Sequence, residues 1–97
     1  MATRIYLSAP AEGSETSDQE RLCREAASQE VTSVHTSVGY GDWMRGFPPP
    51  LRSALNALQA GDELLALSWA QLSRDEKILK RVFLAAARKG AAVRTVY

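Results

Sequence analysis

Short apolar runs alternate with helical apolar stripes along this chain. Residues 4–9 (RIYLSA) and 31–38 (VTSVHTSV) are compact stretches rich in aliphatic and β-branched side chains, the composition of strands. Residues 63–69 (ELLALSW) carry Leu64, Leu65, Ala66 and Leu67 without polar alternation. A strand of that kind is expected to be covered on both faces, as the strands of parallel sheets are. Between the runs, apolar residues recur every three or four positions. Leu22, Cys23, Ala26 and Ala27 form one stripe over 17–28. Leu51, Ala54, Leu55 and Leu58 form a second, closed by Gly61. Ile78, Leu79, Val82, Phe83 and Ala86 form a third, and Val93 and Val96 return as a last strand. The order is β-α-β-α-β-α-β. It predicts an α/β three-layer sandwich around a mainly parallel four-stranded sheet, with right-handed crossovers.

The punctuation between these elements agrees. Pro10 ends the first strand, because it has no N–H for a ladder. Ser17 stands three residues before Glu20, and Ser73 three before Glu76. This is the spacing of a capping box, so both serines are expected to start helices. Pro50 suits a first helical turn. Lys89 and Gly90 close the third helix, a cation for the dipole and a residue free to turn left-handed. Residues 39–50 (GYGDWMRGFPPP) hold three glycines and three prolines, which forbid regular structure. Trp43 and Phe47 lie there with Arg45 between them. They either pin the loop to the body or form a mobile flap or contact surface. The loop at 69–73 is expected to open at the carboxyl edge of the sheet, where α/β folds place ligands and chemistry.

Composition narrows the classes. The 97 residues suffice for one small domain, so 1–97 is read as a single domain without a helix-turn-helix. A domain of this size buries only about two thirds of its unfolded surface, and oligomerisation would help it. Apolar residues make up 45% of the chain, which argues against disorder. The net charge of +1 creates no global field for nucleic acid. No apolar run nears the ~18 residues of a membrane span, and no signal pattern opens the chain. A cytoplasmic protein is expected. Cys23 is the only cysteine; it excludes an internal disulfide or zinc cluster, and its place in a stripe makes it a core residue. His35 lies inside a strand and is read as structural or merely exposed rather than catalytic. Lys77, Lys80, Arg81, Arg88 and Lys89 are read as a solvated face opposite the third stripe.

The run GDELLALSWAQLSRDEKILKRVFLAAARKGAAVRTV resembles the second half of the catalytic domain of serine recombinases, the resolvase and invertase family. There a Gly-Asp precedes an apolar strand, a loop written D-R-L-[GS]-R, a helix, then K-G-V and a strand. RIYLSAP is similar to the family's first strand, SDQERLC to its next helix start, and LRSALNALQAGD to the helix before the Gly-Asp. The resemblance covers nearly the whole chain. It lies in the order and spacing of elements, because no single motif is intact.

The resemblance implies a specific chemistry. A serine hydroxyl attacks a DNA phosphodiester and forms a phosphoserine link. No metal or other cofactor takes part; arginines hold the phosphate and stabilise the charge of the transition state. Guanidinium suits this through its fork geometry and permanent charge. Carried over without gaps, Tyr6 falls on the family tyrosine, Ser8 on the strand arginine and Pro10 on the nucleophile. A gapped register puts Ser8 on the nucleophile and Tyr6 on the arginine. The D-R-L-[GS]-R loop becomes Ala70, Gln71, Leu72, Ser73 and Arg74, which keeps only its second arginine. The flap arginine is Arg45 if three residues are inserted, or Pro48 if not.

At best Ser8, Arg45 and Arg74 remain, with Tyr6, Trp69 and Gln71 as candidate pocket residues. Each lost transition-state donor costs about 2.7–4 kcal/mol, or a factor of ~10² to 10³. The expectation is a degenerate recombinase-like domain, catalytically inactive and acting through self-association or docking on a recombinase-like protein. DNA would be reached only through a partner or a further segment, and no membrane is involved. A rival reading keeps an active recombinase with Ser8 as nucleophile, Arg74 and Arg45 as clamps and Gln71 donating in place of an arginine. A third notes that RIYLSAP is similar to the opening of nucleoside deoxyribosyltransferases. In that case Glu12, Glu15 or Asp42 would serve as the carboxylate and Tyr6 would line a base pocket. Trp69 either packs on Tyr6 or the flap, or centres a protein contact.

Overall fold

The computed structural model of the chain describes residues 1–10, 15–38 and 47–97. Its elements are β1 (Thr3–Ala9), α1 (Ser17–Ala26), β2 (Val31–Val38), α2 (Pro49–Ala57), β3 (Glu63–Ala66), α3 (Trp69–Leu72), α4 (Glu76–Arg88) and β4 (Ala92–Thr95). The four strands form one sheet in the order β2-β1-β3-β4, and every pair is parallel. The chain steps from β1 out to β2, then crosses back to the other side of β1 for β3. The strand order therefore reverses between β1 and β3, which makes their carboxyl ends the switch point of the sheet.

Alternation along β1 sorts the core. Ile5 and Leu7 join Leu65 and Cys23 under α1. Tyr6 turns the other way and joins Leu64 and Ala66 with Leu51, Leu55 and Leu58 of the α2 segment and Val82 and Ala86 of α4. Leu64 and Leu65 point to opposite faces and are both fully buried, as their unalternating run requires. Each contributes roughly 1.5–3 kcal/mol of apolar burial. Cys23 is fully buried. Burial, and then the nearby Glu20 carboxylate, push its thiol pKa upward.

Several boundaries differ from the sequence reading. The expected strand over 63–69 stops at Ala66, and the chain turns into the short helix α3. Neither capping box forms. Ser17 is already helical, and its N–H and hydroxyl both donate to Glu15 rather than pairing with Glu20; Glu20 bonds Arg24 at 2.8 Å. At α4 the N-cap is Asp75, whose Oδ1 accepts from the Lys77 amide at 2.8 Å. Because α3 occupies 69–72, the next helix cannot begin at Ser73, and aspartate caps as well as serine. Ser73 instead accepts the Asp75 amide at 3.0 Å. Helix α2 ends at Ala57, before Gly61, which adopts φ +86° in the turn into β3. Phe83 leaves the expected stripe and is 44% exposed.

The amino edge of the sheet holds two buried carboxylates. Glu63 accepts from the Thr3 hydroxyl, the Ser28 amide (3.0 Å) and hydroxyl (2.9 Å), and Arg94 Nε at 2.8 Å. Arg94 Nη2 also donates to the Ala26 carbonyl at 2.6 Å. Burial alone would raise the Glu63 carboxyl, but the bonds from Arg94, Thr3 and Ser28 outweigh it and lower its pKa from 4.5 to about 2. Asp62 accepts the amides of Ala2 (2.8 Å) and Gln59 (2.9 Å) and lies 3.6 Å from Arg4 Nε. The Gln59 amide leads in lowering its pKa against burial, helped by the Ala2 amide and Arg4.

Candidate functional site

The carboxyl ends of β1 and β3 carry the residues that the sequence singles out. On β1, Tyr6 and Ser8 share the α2 side of the sheet, two residues apart. Ser8 pairs in register with Ser37 of β2. The buried Tyr6 hydroxyl donates to Ser37 Oγ at 2.6 Å. Burial raises the tyrosine pKa and the Ser37 bond only partly offsets this, so the phenol is neutral at pH 7. Ser8 is half-buried, and its carbonyl accepts from Gln19 Nε2 at 3.4 Å. Pro10 lies beyond the strand, exposed in a bend.

After β3, the turn of α3 sets out Trp69 and Gln71, and the following loop carries Arg74. Helix α3 packs against β1 as well as β3, so these residues and Ser8 flank the same switch point. Gln71 is half-buried, and its amide is held by the Ser68 carbonyl at 3.1 Å. Arg74 is exposed. The Trp69 ring meets Phe83 of α4 with centroids 5.3 Å apart and planes tilted by 46°, and it stays 40% exposed. The pair forms because Phe83 has left the core stripe of α4.

Arg45, Trp43, Glu12 and Asp42 lie outside the described residues. Glu15, the described member of the carboxylate trio, is exposed, and its carboxyl pKa is lowered by the hydroxyl and amide of Ser17. Phe47 packs against the α2-side core. Sequence reasoning missed Ser37, whose pairing with Tyr6 depends on the β1–β2 register. It also missed Arg52 in the first turn of α2, which donates to the Phe47 carbonyl at 3.3 Å. His35 faces the α2 side, where its Nε2 meets Ser33 Oγ at 2.8 Å. Burial, then the Arg4 guanidinium, lower its pKa. Among the described residues no three His, Cys, Asp or Glu side chains are grouped to hold a metal, and no described helix is long and apolar enough to cross a membrane. A shallow depression of about 420 Å³ on the outer face of α1 involves Glu20, Arg21, Arg24 and Glu25, which pair along the helix.

Over its full length the chain matches 70% of the C-terminal catalytic domain of ISC1926 TnpA, an IS607-like serine recombinase, with a TM-score of 0.75. The fold is that of a serine-recombinase catalytic domain. Sequence identity to that structure is 11%, so the agreement lies in the course of the backbone. No protein-family model matches the sequence, and no curated protein does. In this chain, Ser8 near the end of the first strand and the loop and helix that follow the third strand lie at the same edge of the sheet.

Proposed function

We propose that this chain is a recombinase-like domain with a degenerate phosphate site, inactive in strand cleavage and working by protein contact in a DNA-recombination setting. The observation that carries this is Tyr6. With Ser8 read as the nucleophile, the strand position that the resemblance assigns to an arginine is a buried, neutral phenol closed onto Ser37. The first arginine and the acid of the loop motif are likewise Gln71 and Ala70. A phosphoryl transition state needs cations or fixed donors around its oxygens. Two missing guanidinium groups would lower the rate by about 10⁴ to 10⁶. What remains is a scaffold, and the exposed Trp69–Phe83 pair beside the old site is the kind of aromatic surface that anchors a protein contact.

The test is covalent trapping of protein on supercoiled DNA. No phosphoserine adduct is expected. An adduct that forms with the wild type and disappears in Ser8→Ala would establish an active enzyme instead, with Ser8 as nucleophile.

A further inference from the structure

The two edges of the sheet are unlike. Strand β4 has four residues and carries Arg94, whose guanidinium reaches across to Glu63 and Ala26. A short, charged strand is a protected edge. Strand β2 has eight residues, VTSVHTSV, and lies at the other end of the sheet with β1 as its one strand neighbour. It has no lysine, arginine, acid or proline, which are the usual guards of an edge. A register irregularity sits at its amino end, between Thr3 and Arg4 of the partner strand, but residues from Ser33 to Val38 pair regularly with β1. Among the described residues, no backbone bond outside the β1–β2 ladder engages 31–38. Every second residue of an edge strand turns its N–H and C=O away from the neighbour. Thr32 and Thr36 are exposed, and Val38 is 48% exposed.

We propose that β2 pairs antiparallel with β2 of a second copy, joining two four-stranded sheets into one of eight about a two-fold axis. The proposal deepens the contact half of the reading above and is independent of whether Ser8 is active.

Charge selects the occupant. A two-fold axis normal to the sheet sets residues of the same face opposite one another. With Val34 on the axis, Thr36 faces Thr32 and Ser33 faces His35. With His35 on the axis, Ser33 faces Ser37 and Val34 faces Thr36. Either register opposes only neutral side chains at pH 7, His35 included because burial and Arg4 favour its uncharged form. Arg4, whose Nη1 donates to Ser33 at 3.1 Å, is already paired with Asp62, so a charged partner strand would find no uncommitted counter-charge along 31–38, whereas a second copy opposes neutral side chains and adds Thr–Thr and Val–Val or Val–Thr pairs. One strand edge is a small contact, so the dimer is weak, with a dissociation constant on the order of micromolar or above.

Sedimentation velocity across a dilution series tests this on the whole chain. The wild type is expected to shift reversibly from monomer to dimer with concentration. Thr36→Lys puts a charge on the exposed edge and is expected to weaken the dimer at least about tenfold, with the thermal midpoint kept. Val38→Lys provides a second variant at an exposed site. Amide exchange of 31–38 should slow with wild-type concentration and not in either variant. A wild type that stays monomeric throughout, or a dimer that survives both lysines with unchanged exchange in β2, overturns the proposal. Trapping on DNA reads the catalytic question separately, since neither lysine touches Ser8, Gln71 or Arg74.

Discussion

The amino and carboxyl rims of this sheet are built on opposite principles. At the amino rim the chain buries two carboxylates; each accepts from a backbone amide and lies beside a guanidinium, and Glu63 also accepts from two hydroxyls. At the carboxyl rim the described strand residues offer hydroxyls, Ser8, Ser37 and Tyr6, and the phenol is closed onto its neighbour. Among the described residues, charge locks strands together at the amino rim, whereas the strand ends at the carboxyl rim carry neutral hydroxyls. Burying an ion is tolerable only when its partners are in place. The amino rim meets that condition within the chain.

The contrast should be visible in stability. Glu63→Ala removes the centre of the amino-rim network and strands Arg94, Thr3 and the Ser28 amide; a loss of about 3–5 kcal/mol is expected in urea unfolding. A loss under about 1 kcal/mol would mean that the rim is not the lock described. Acid should report the same residue. Its folded carboxyl pKa is depressed to about 2 from 4.5, so its contribution is fully present above about pH 4.5 and is lost as the pH falls toward 2. The size is about 3 kcal/mol. Asp62 is shifted in the same direction and steepens the fall. Glu63→Gln should start less stable and show a flatter acid limb in denaturant titrations from pH 6 to about 2.

At the carboxyl rim the effects should be smaller. Tyr6→Phe deletes one hydrogen bond and leaves Ser37 Oγ without its donor, a loss of about 1 kcal/mol. A much larger loss would imply that the phenol organises the rim. Ser8→Ala should move stability by no more than about 0.5 kcal/mol. A greater change in either direction would give Ser8 a structural role and weaken its reading as a former nucleophile.

Much of the fold was legible because it rests on repeated local signals. The unbroken run Leu64–Leu65–Ala66 could only be a strand covered on both sides, and Leu51, Ala54, Leu55 and Leu58 could only be a helix stripe; all are buried. Helix starts were less legible. Ser73 and Asp75 both look like caps, and the choice depended on α3, a turn of helix too short to have a periodicity of its own. The site was legible by position and poorly by partner. Ser8, Gln71 and Arg74 lie at the carboxyl ends of β1 and β3, as the order of elements requires. The Tyr6–Ser37 and Trp69–Phe83 contacts join residues 31 and 14 positions apart, and only the sheet register and the rotation of α4 decide them. The amino-rim carboxylates were visible only as the Gly-Asp-Glu that opens β3. Nothing in that tripeptide shows that Arg94 and Arg4 come to meet it.

The sole thiol gives the molecule a built-in clock. Cys23 is sealed between α1 and the sheet and its proton is held more tightly than usual, so an alkylating reagent can reach it only when that helix lifts away. The labelling rate at neutral pH would therefore count those excursions directly, without a probe having to be engineered. Comparing that rate in the presence and absence of denaturant would tell whether the first helix detaches by itself or only when the whole sheet comes apart.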